Sequence, residues 1–560
     1  MTAAWTLVER ASALRRAERD GVDLLVIGGG ITGAGVLRDA ASRGLRALLV
    51  ERDDFASGTS SRSSKMVHGG LRYIGEGHLG VTRESCRERD RLVAQSPNLV
   101  ESVPFLFPAF DGGRHPLWQI HAALFVYRAL ASFRPSARFR MLRPDEVPRW
   151  SRDLRSEGLH GAGLYHDAQV DDARLVLETL RSARALGAEA VSHAEVVELE
   201  RDVGGRLAAA RVHDRLERRT MAIRAHAFVN AAGPAVERVR GLDRPVTRPE
   251  LRPAKGVHLV IPRSRVHLEA AITFPARDGR PLFLAPWQDV AILGTTDTFT
   301  DEIDEPGVTI EEVHYLLAAA NEAFPRVGLT TNDLRSVYAG VRPLVASPGS
   351  DTPATSVSRE HRIYRDPSGL VSAAGGKLTT HRSTGEEIVD LVLGQLPARV
   401  RETAGPSRTA KLPLREDGFD RAAFEAELAR RSALPPHAVA HLVRHHGASA
   451  ESLLAEAPPG SLETIGRSRF CYAEIPWVVR TECPASLCDL LERRMRLAIF
   501  AEGQGLPELD RIVRVAADAA GWDEGRARSE AAAYARAVRR RYQIVLPEAQ
   551  RTAPARVAAA

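Results

Sequence analysis

Residues 23–52 read DLLVIGGGITGAGVLRDAASRGLRALLVER. DLLVI is apolar at every position after the aspartate, as expected of a parallel strand buried on both faces. It runs straight into Gly28, Gly30 and Gly33, the G-x-G-x-x-G spacing, then into an Ala-rich helical stretch and a second apolar strand over residues 45–50. The first two glycines permit a tight turn and a close approach to a pyrophosphate, and the third lets helix pack on strand. The helix N-terminus then faces the phosphate charge. Glu51 closes the second strand, 18 positions after Gly33, where a carboxylate accepts hydrogen bonds from ribose hydroxyls. Strand, glycines, helix, strand and acid in this order predict a dinucleotide-binding unit. Two more strand-then-glycine segments lie far downstream, AFVNAAGPAV (227–236) with Gly233 and LVSAAGGKLTT (370–380) with Gly375, Gly376, Lys377, Leu378 and Thr379. A cofactor held by segments so far apart suits an enzyme that never releases it, which favours FAD over NAD.

Lysine usage marks further positions. Only four of the 77 basic residues are lysines, Lys65, Lys255, Lys377 and Lys411. Three of them stand in Gly- or Ser-rich stretches, SSKMVHGG, PAKGVHLV and AAGGKLTT. A surviving lysine in so Arg-heavy a chain points to places where a compact ammonium serves and a planar guanidinium does not. In RDDFASGTSSRSSKMVHGGLRYIGEG, directly after Glu51, Thr59, Ser60, Ser61, Ser63 and Ser64 offer hydroxyls to phosphate and flavin oxygens, with Lys65 and His68 as further donors.

The ordered set GGGITGAGVLRDAASRGL, TSSRSSKMVHGGLRY, KGVHLVIP, PWQDVAILGTTDT, YAGVRPL and GGKLTTHR resembles the FAD-dependent glycerol-3-phosphate dehydrogenases, closely over residues 21–385. The resemblance implies oxidation of sn-glycerol 3-phosphate to dihydroxyacetone phosphate, with electrons passing from FAD to a membrane quinone. That substrate needs cations for its phosphate and an acceptor for the C2 hydroxyl proton. Arg342, alone in an apolar run, is expected to face a ligand or an acid, because an unpaired charge there is costly. By resemblance Arg359 is a second phosphate ligand, and Arg72 with Tyr73 a third. His258 in PAKGVHLVIP is the leading candidate base and His68 the alternative. Lys255 and Lys377 are expected to stabilise negative charge on the substrate oxygen or the flavin edge. The family has Tyr after KLTT where this chain has His381, so a role specific to a phenol is in doubt.

The expected architecture is α/β: a Rossmann-type FAD domain with an antiparallel substrate-binding cap over residues 21–410, preceded by a polar N-terminal extension over 1–20. Residues 170–190 read as an amphipathic helix with Leu175, Leu177, Leu180 and Leu186 among its apolar positions. From about 411 to 545, Ala/Leu/Arg/Glu patterns predict a separate helical domain, and 546–560 a frayed tail. The chain of 560 residues has 44% apolar and 26% charged residues, an ordinary globular composition, so disorder is excluded.

The net charge of +6 permits an anionic substrate or membrane surface. No nucleic-acid motif is present, so a basic FAD-dependent RNA-modifying enzyme remains only an alternative, as does a glycerol-3-phosphate oxidase using oxygen. Four cysteines without a CxxC pair fit a reducing cytosol, and the charged N-terminus argues against export. Residues 114–142 mix aromatic and apolar residues with arginine, as an interfacial helix or a core helix would, and the family's quinone favours attachment to the inner face of the cytoplasmic membrane. His441 and His445 lie one helical turn apart, but no metal is expected. A homodimer is expected.

Overall fold

The computed structural model describes residues 5–246, 250–345, 361–416 and 418–544. Strand Val22–Ile27 is central in the first of two sheets, paired in parallel with Ala47–Val50 on one side and Arg219–Asn230 on the other. Leu370–Ala374 extends the second side and Glu189–Val191 the first, again in parallel. The chain therefore steps outward in one direction, then reverses, and the reversal falls between Val22–Ile27 and Arg219–Asn230. Ligands of open α/β sheets bind beyond the carboxyl ends of strands at such a reversal. Leu24, Leu25 and Val26 have no exposed surface. Burial of each contributes about 1.5–3 kcal/mol, which is why an unbroken apolar run reads as a central strand.

Helices Ile31–Ser42 and Asp172–Ala185 contribute to the core on one face of this sheet. The second helix begins where Asp171 accepts the Arg174 N–H at 3.1 Å. It is shorter than the sequence reading, because Ala188, Ala190 and the strand Glu189–Val191 leave it for the sheet. On the other face lies Leu7–Asp20, opened by a Thr6–Glu9 capping box. The expected polar extension is thus corrected: Ala13, Leu14 and Ala17 are core residues, and Arg10 is buried in a bidentate pair with Asp214. Burying one apolar stripe makes this helix part of the flavin domain.

Among the described residues the second sheet has ten strands and is antiparallel apart from the pair Ala271–Pro275 with Glu101–Phe110. Leu251–Pro262 lies in it between Val290–Gly294 and Ser336–Val345. The helices after residue 418 do not keep a core of their own. Leu442, Phe470, Trp477, Met495, Phe500 and Tyr534 pack in one cluster with Val260, Trp287, Ile292 and Tyr338 of the cap sheet. Cap and helical domain are joined by apolar packing.

Buried ion pairs join the helical domain to the flavin domain. Arg174 grips Glu482 with both terminal nitrogens, at 2.7 and 2.9 Å, and neither side chain is exposed. Breaking a buried pair from one side strands a charge at a cost of about 3–5 kcal/mol. Arg174→Leu is therefore expected to lower the thermal midpoint sharply, and Arg174→Leu with Glu482→Leu to recover most of the loss.

Burial also holds His441, His445 and His446 well below the ordinary imidazole value, and His381 at about 4. Below pH 6.5 the unfolded chain binds protons that these folded residues refuse, so stability falls as pH drops from 6.5 toward 4. Each imidazole contributes up to about 1.4 kcal/mol per pH unit. Glu474, raised to about 8 by burial, works in the opposite direction over part of this window, as do Glu51 and Glu425, which burial also raises, while His258, held low like the other four imidazoles, adds to the loss. A thermal midpoint that stayed level between pH 6.5 and 4.5 would contradict this balance.

Candidate active site

The strand ends of the first sheet form a half-exposed rim around a buried core. Gly30, Thr32, Thr59, Ser60, Gly233 and residues 375–378 are partly exposed while the strands behind them are closed. Gly28 has φ +114°, and a Cβ on Gly33 would lie 1.9 Å from the Gly28 carbonyl oxygen, so no side chain fits at either position. Helix Ile31–Ser42 starts from Gly30 and points its free N–H groups into this cradle, where the Ser60 Oγ accepts from Ile31 at 3.0 Å. The Glu51 carboxylate accepts from the Gly29 and Asp53 N–H groups at 2.6 and 2.9 Å, which lowers its pKa, while burial raises it more. Each oxygen keeps a second lone pair for a hydroxyl. A Cβ-free turn, a helix N-terminus and a carboxylate at the second strand's end fit a dinucleotide.

The cap sheet supplies the second half. Along a strand side chains alternate faces, and His258, Gly256 and Ala254 share one face with Tyr338, Gly340 and Arg342, their partners across the ladder. The His258 ring stacks on Tyr338 at 4.8 Å and its Nε2 lies 2.8 Å from the Ser64 Oγ. It is 2% exposed, and burial first, then the charges of Arg342 and Lys65, hold it well below the ordinary value, so it is neutral. Arg342 donates to Asp297 at 3.0 Å, to the Thr296 carbonyl at 3.2 Å and to the Thr295 hydroxyl at 3.1 Å. Both side chains need bare backbone beside them. A Cβ on Gly256 would sit 2.5 Å from the Arg342 guanidinium, and one on Gly294 would sit 2.5 Å from the His258 ring.

Two lysines are corrected. Lys255 is three residues from His258, an odd spacing that turns it to the opposite face, where it meets Glu312 at 3.0 Å and the Gly307 carbonyl. Lys65 is fully buried, and its ammonium bonds Asp172 at 2.8 Å rather than facing the rim. Burial first, then Arg496, lowers it to about 8. Ser63 is likewise taken by Asp172, through both its N–H and its hydroxyl. Thr59 donates to the Val341 carbonyl.

Lys377 does reach the rim: its Nζ lies 3.9 Å from the Tyr73 ring centre and 3.4 Å from the Ser85 Oγ. Arg72 pairs with Glu76 at 3.1 Å beside the same ring. His68 and Thr379 bond each other through backbone and hydroxyl. Residues 63–68 thus touch both groups, His258 through Ser64 and the 375–380 loop through His68. His381 turns inward, its Nδ1 donating to the Leu378 carbonyl at 2.9 Å. Arg359 lies outside the described residues, as does the tail 546–560.

Tyr338 and Asp297 join the site without having been singled out, and Ser64, expected to offer its hydroxyl to phosphate or flavin oxygens, faces the His258 ring. Tyr338 was open to discovery, since it precedes Arg342 by an even spacing on one strand. Among the described residues two clusters have metal-like geometry, His445, His446 and Glu474, and Asp54, His193 and Asp489, and both are crowded by arginines. Arg174 donates into His445 Nε2, and Arg493 and Arg494 hold Asp54.

Residues 23–391 match the FAD dependent oxidoreductase family, and residues 407–527 match the C-terminal domain of alpha-glycerophosphate oxidase. The aerobic glycerol-3-phosphate dehydrogenase of Staphylococcus aureus strain USA300 is 34% identical over 521 residues, covering 91% of this chain and 93% of that protein. The solved structure of the glycerol-3-phosphate dehydrogenase from Bacillus halodurans, complexed with FAD, is 31% identical with a TM-score of 0.77, covering 95% of this chain and 97% of that one. The L-alpha-glycerophosphate oxidase of Mycoplasma pneumoniae with FAD bound shares the fold, at 18% identity and a TM-score of 0.52 over 66% of this chain and 94% of that one. With its dinucleotide cradle, its cap and its helical domain all matched in order, the chain belongs to the FAD-dependent glycerol-3-phosphate dehydrogenase family.

Proposed function

We propose that the protein oxidises sn-glycerol 3-phosphate to dihydroxyacetone phosphate and passes the electrons to a quinone. The observation that carries this reading is the shared cap face of Arg342 and His258, a guanidinium and a neutral imidazole on neighbouring strands. FAD, when bound, would supply a two-electron acceptor for the hydride released from C2. The strand-end residues Gly28, Gly30, Gly33, Glu51, Ser60 and Gly233 would hold it, with Gly375, Gly376, Leu378 and Thr379 on the far side.

The remaining steps belong to side chains. Arg342 binds phosphate oxygens, with Asp297 fixing its fork, and Arg72, Tyr73 and Lys377 are the further candidates for holding the anion. The C2 hydroxyl loses its proton as the hydride leaves, so a ketone forms with no charge left over. A ring as buried as His258 receives that proton through a neighbour. The Ser64 hydroxyl, half-exposed and 2.8 Å from Nε2, is placed for that relay.

The family match over residues 407–527 carries the name of an oxidase, which favours oxygen as a second possible acceptor. Oxygen uptake measured with and without a quinone analogue separates the two: turnover only with the analogue supports the dehydrogenase, and uptake with substrate alone supports the oxidase.

Peripheral membrane contact is proposed for Leu117–Leu130. Its Ile120, Leu124 and Tyr127 are buried, while Trp118 and Phe125 are exposed, as is nearby Phe133. Among the described residues no helix is long and apolar enough to cross a membrane. Trp118→Ser with Phe125→Ser is expected to abolish co-sedimentation with anionic vesicles while dye-linked activity persists. Retained binding would move the contact elsewhere.

Arg342→Leu removes charge-assisted bonds of about 1.5–3 kcal/mol and should raise KM roughly 10- to 150-fold. Lys255→Met, on the opposite face, should leave KM within about 2-fold. The reverse pattern would sink the assignment. Because the His258 pKa is depressed, its basic form is already complete at pH 6.5, so kcat/KM should be flat from there to pH 8 and fall only below. His258→Gln should lower kcat by about 10²–10⁴.

A further inference from the structure

Of the two nitrogens on the His258 ring, Nε2 meets the Ser64 hydroxyl at 2.8 Å, and Nδ1 has no hydrogen-bond partner among the described residues. A reactive imidazole is commonly oriented by a carboxylate or carbonyl on its second nitrogen. That orienting bond is missing here, and one bond at Nε2 does not set the plane of the ring. Another contact has to hold it.

Tyr338 makes that contact. It lies directly across the ladder from His258, and the two rings are stacked with centroids 4.8 Å apart and planes 12° apart. This spacing lies within the range in which stacked rings attract. The same side chain also reaches the Ser64 side of the pair, because its hydroxyl donates to the Ser63 carbonyl at 3.0 Å, one residue before Ser64. The contacts close a circuit, from the His258 ring to the Tyr338 ring, through its hydroxyl to Ser63, along the chain to Ser64 and back to Nε2. Tyr338 is itself held in place. It has no exposed surface, it shares an apolar cluster with Trp287 and Phe500, and the Lys65 ammonium lies 5.3 Å from its ring centre. Burial pushes its phenol well above the ordinary value, so the hydroxyl keeps its proton and remains a donor.

We infer that Tyr338 is a positioning residue, which fixes the His258 ring and the Ser64 hydroxyl relative to each other from one side chain. The inference rests on the reading of His258 and Ser64 as the pair that takes the substrate proton. Arg342 stands four positions further along the same strand, and its bonds to Asp297, Thr295 and Thr296 lie outside the circuit. Loosening the circuit therefore slows proton removal and leaves anion binding intact.

The test is single-turnover bleaching of the full-length, flavin-loaded protein by sn-glycerol 3-phosphate without oxygen, over a range of substrate concentrations. Tyr338→Phe keeps the stack and removes the bond to Ser63, whereas Tyr338→Leu removes both. The limiting rate is expected to fall about tenfold in the first and about 100-fold in the second, the loss a displacement of about 1 Å brings, with half-saturation changed by less than about twofold. In a His258→Gln background, Tyr338→Phe is expected to change the rate by less than about twofold, because a residue acting through His258 has nothing left to position. An unchanged limiting rate in folded, flavin-loaded Tyr338→Phe, or an undiminished effect in the His258→Gln background, overturns the inference and leaves the substrate reading standing. No bleaching of the unaltered protein sinks that reading and the inference with it. Should Tyr338→Phe fail to fold, a crystal structure of the unaltered, flavin-loaded protein decides. Retention of the stack and of the Ser63 bond supports the positioning role, and unstacked rings or a hydroxyl turned away from Ser63 overturn it.

Discussion

A single buried carboxylate, Asp172, organises the parts that function depends on. One oxygen receives the Ser63 N–H at 2.9 Å and the Ser63 hydroxyl at 2.8 Å. The other receives Lys65 at 2.8 Å, Arg496 at 3.0 Å and the Ala173 N–H at 3.0 Å. Burying a lone carboxylate costs several kcal/mol, and only so dense a set of donors, two of them cationic, offsets it. Asp172 also opens a helix, whose positive end favours the charge. Through these five bonds a flavin-domain helix, the loop over residues 59–65 and the helical domain share one anchor. Ser64 follows directly on Ser63, so the geometry at His258 depends on a residue that touches neither substrate nor cofactor.

Arginine is the other connecting theme. Arg174, Arg493, Arg494 and Arg496 are all buried where the helical domain meets the flavin domain, each against a carboxylate. The planar fork suits this, since it meets two carboxylate oxygens at once. The chain's arginine excess is therefore partly architectural, and it makes the helical domain a wall of the flavin loop. Together with the apolar packing of that domain on the cap, this restrains the two sheets relative to each other.

Local patterns carried most of what was legible beforehand. The glycine turn, the strand-end acid and the buried strands depend on neighbours within about thirty residues, so their spacing alone specified them. That Arg342 and His258 stand apart in their strands was visible for the same reason, each being a polar residue interrupting an apolar run, and the structure puts them on one face of the cap sheet. Lys255 was misread because three residues along a strand reverse the face. Lys65 shows a subtler failure. Its rarity did mark a crowded place, but the crowd is Asp172 and Arg496, 107 and 431 positions away, rather than a flavin. Pairings at that range leave no spacing signal, and Asp171 with Asp172 looks like any helix cap. The N-terminal helix was misjudged because a narrow stripe of alanines hid an apolar face among charges.

The central claim is that this fold brings a substrate hydroxyl, a base and FAD together for one particular phosphate ester. Anaerobic addition of sn-glycerol 3-phosphate to the flavin-loaded protein tests it most directly, with glycerol and lactate as controls. The account predicts loss of the oxidised-flavin absorbance with the phosphate ester alone. Unchanged absorbance at full flavin occupancy, or equal bleaching by the uncharged or carboxylate controls, would contradict it.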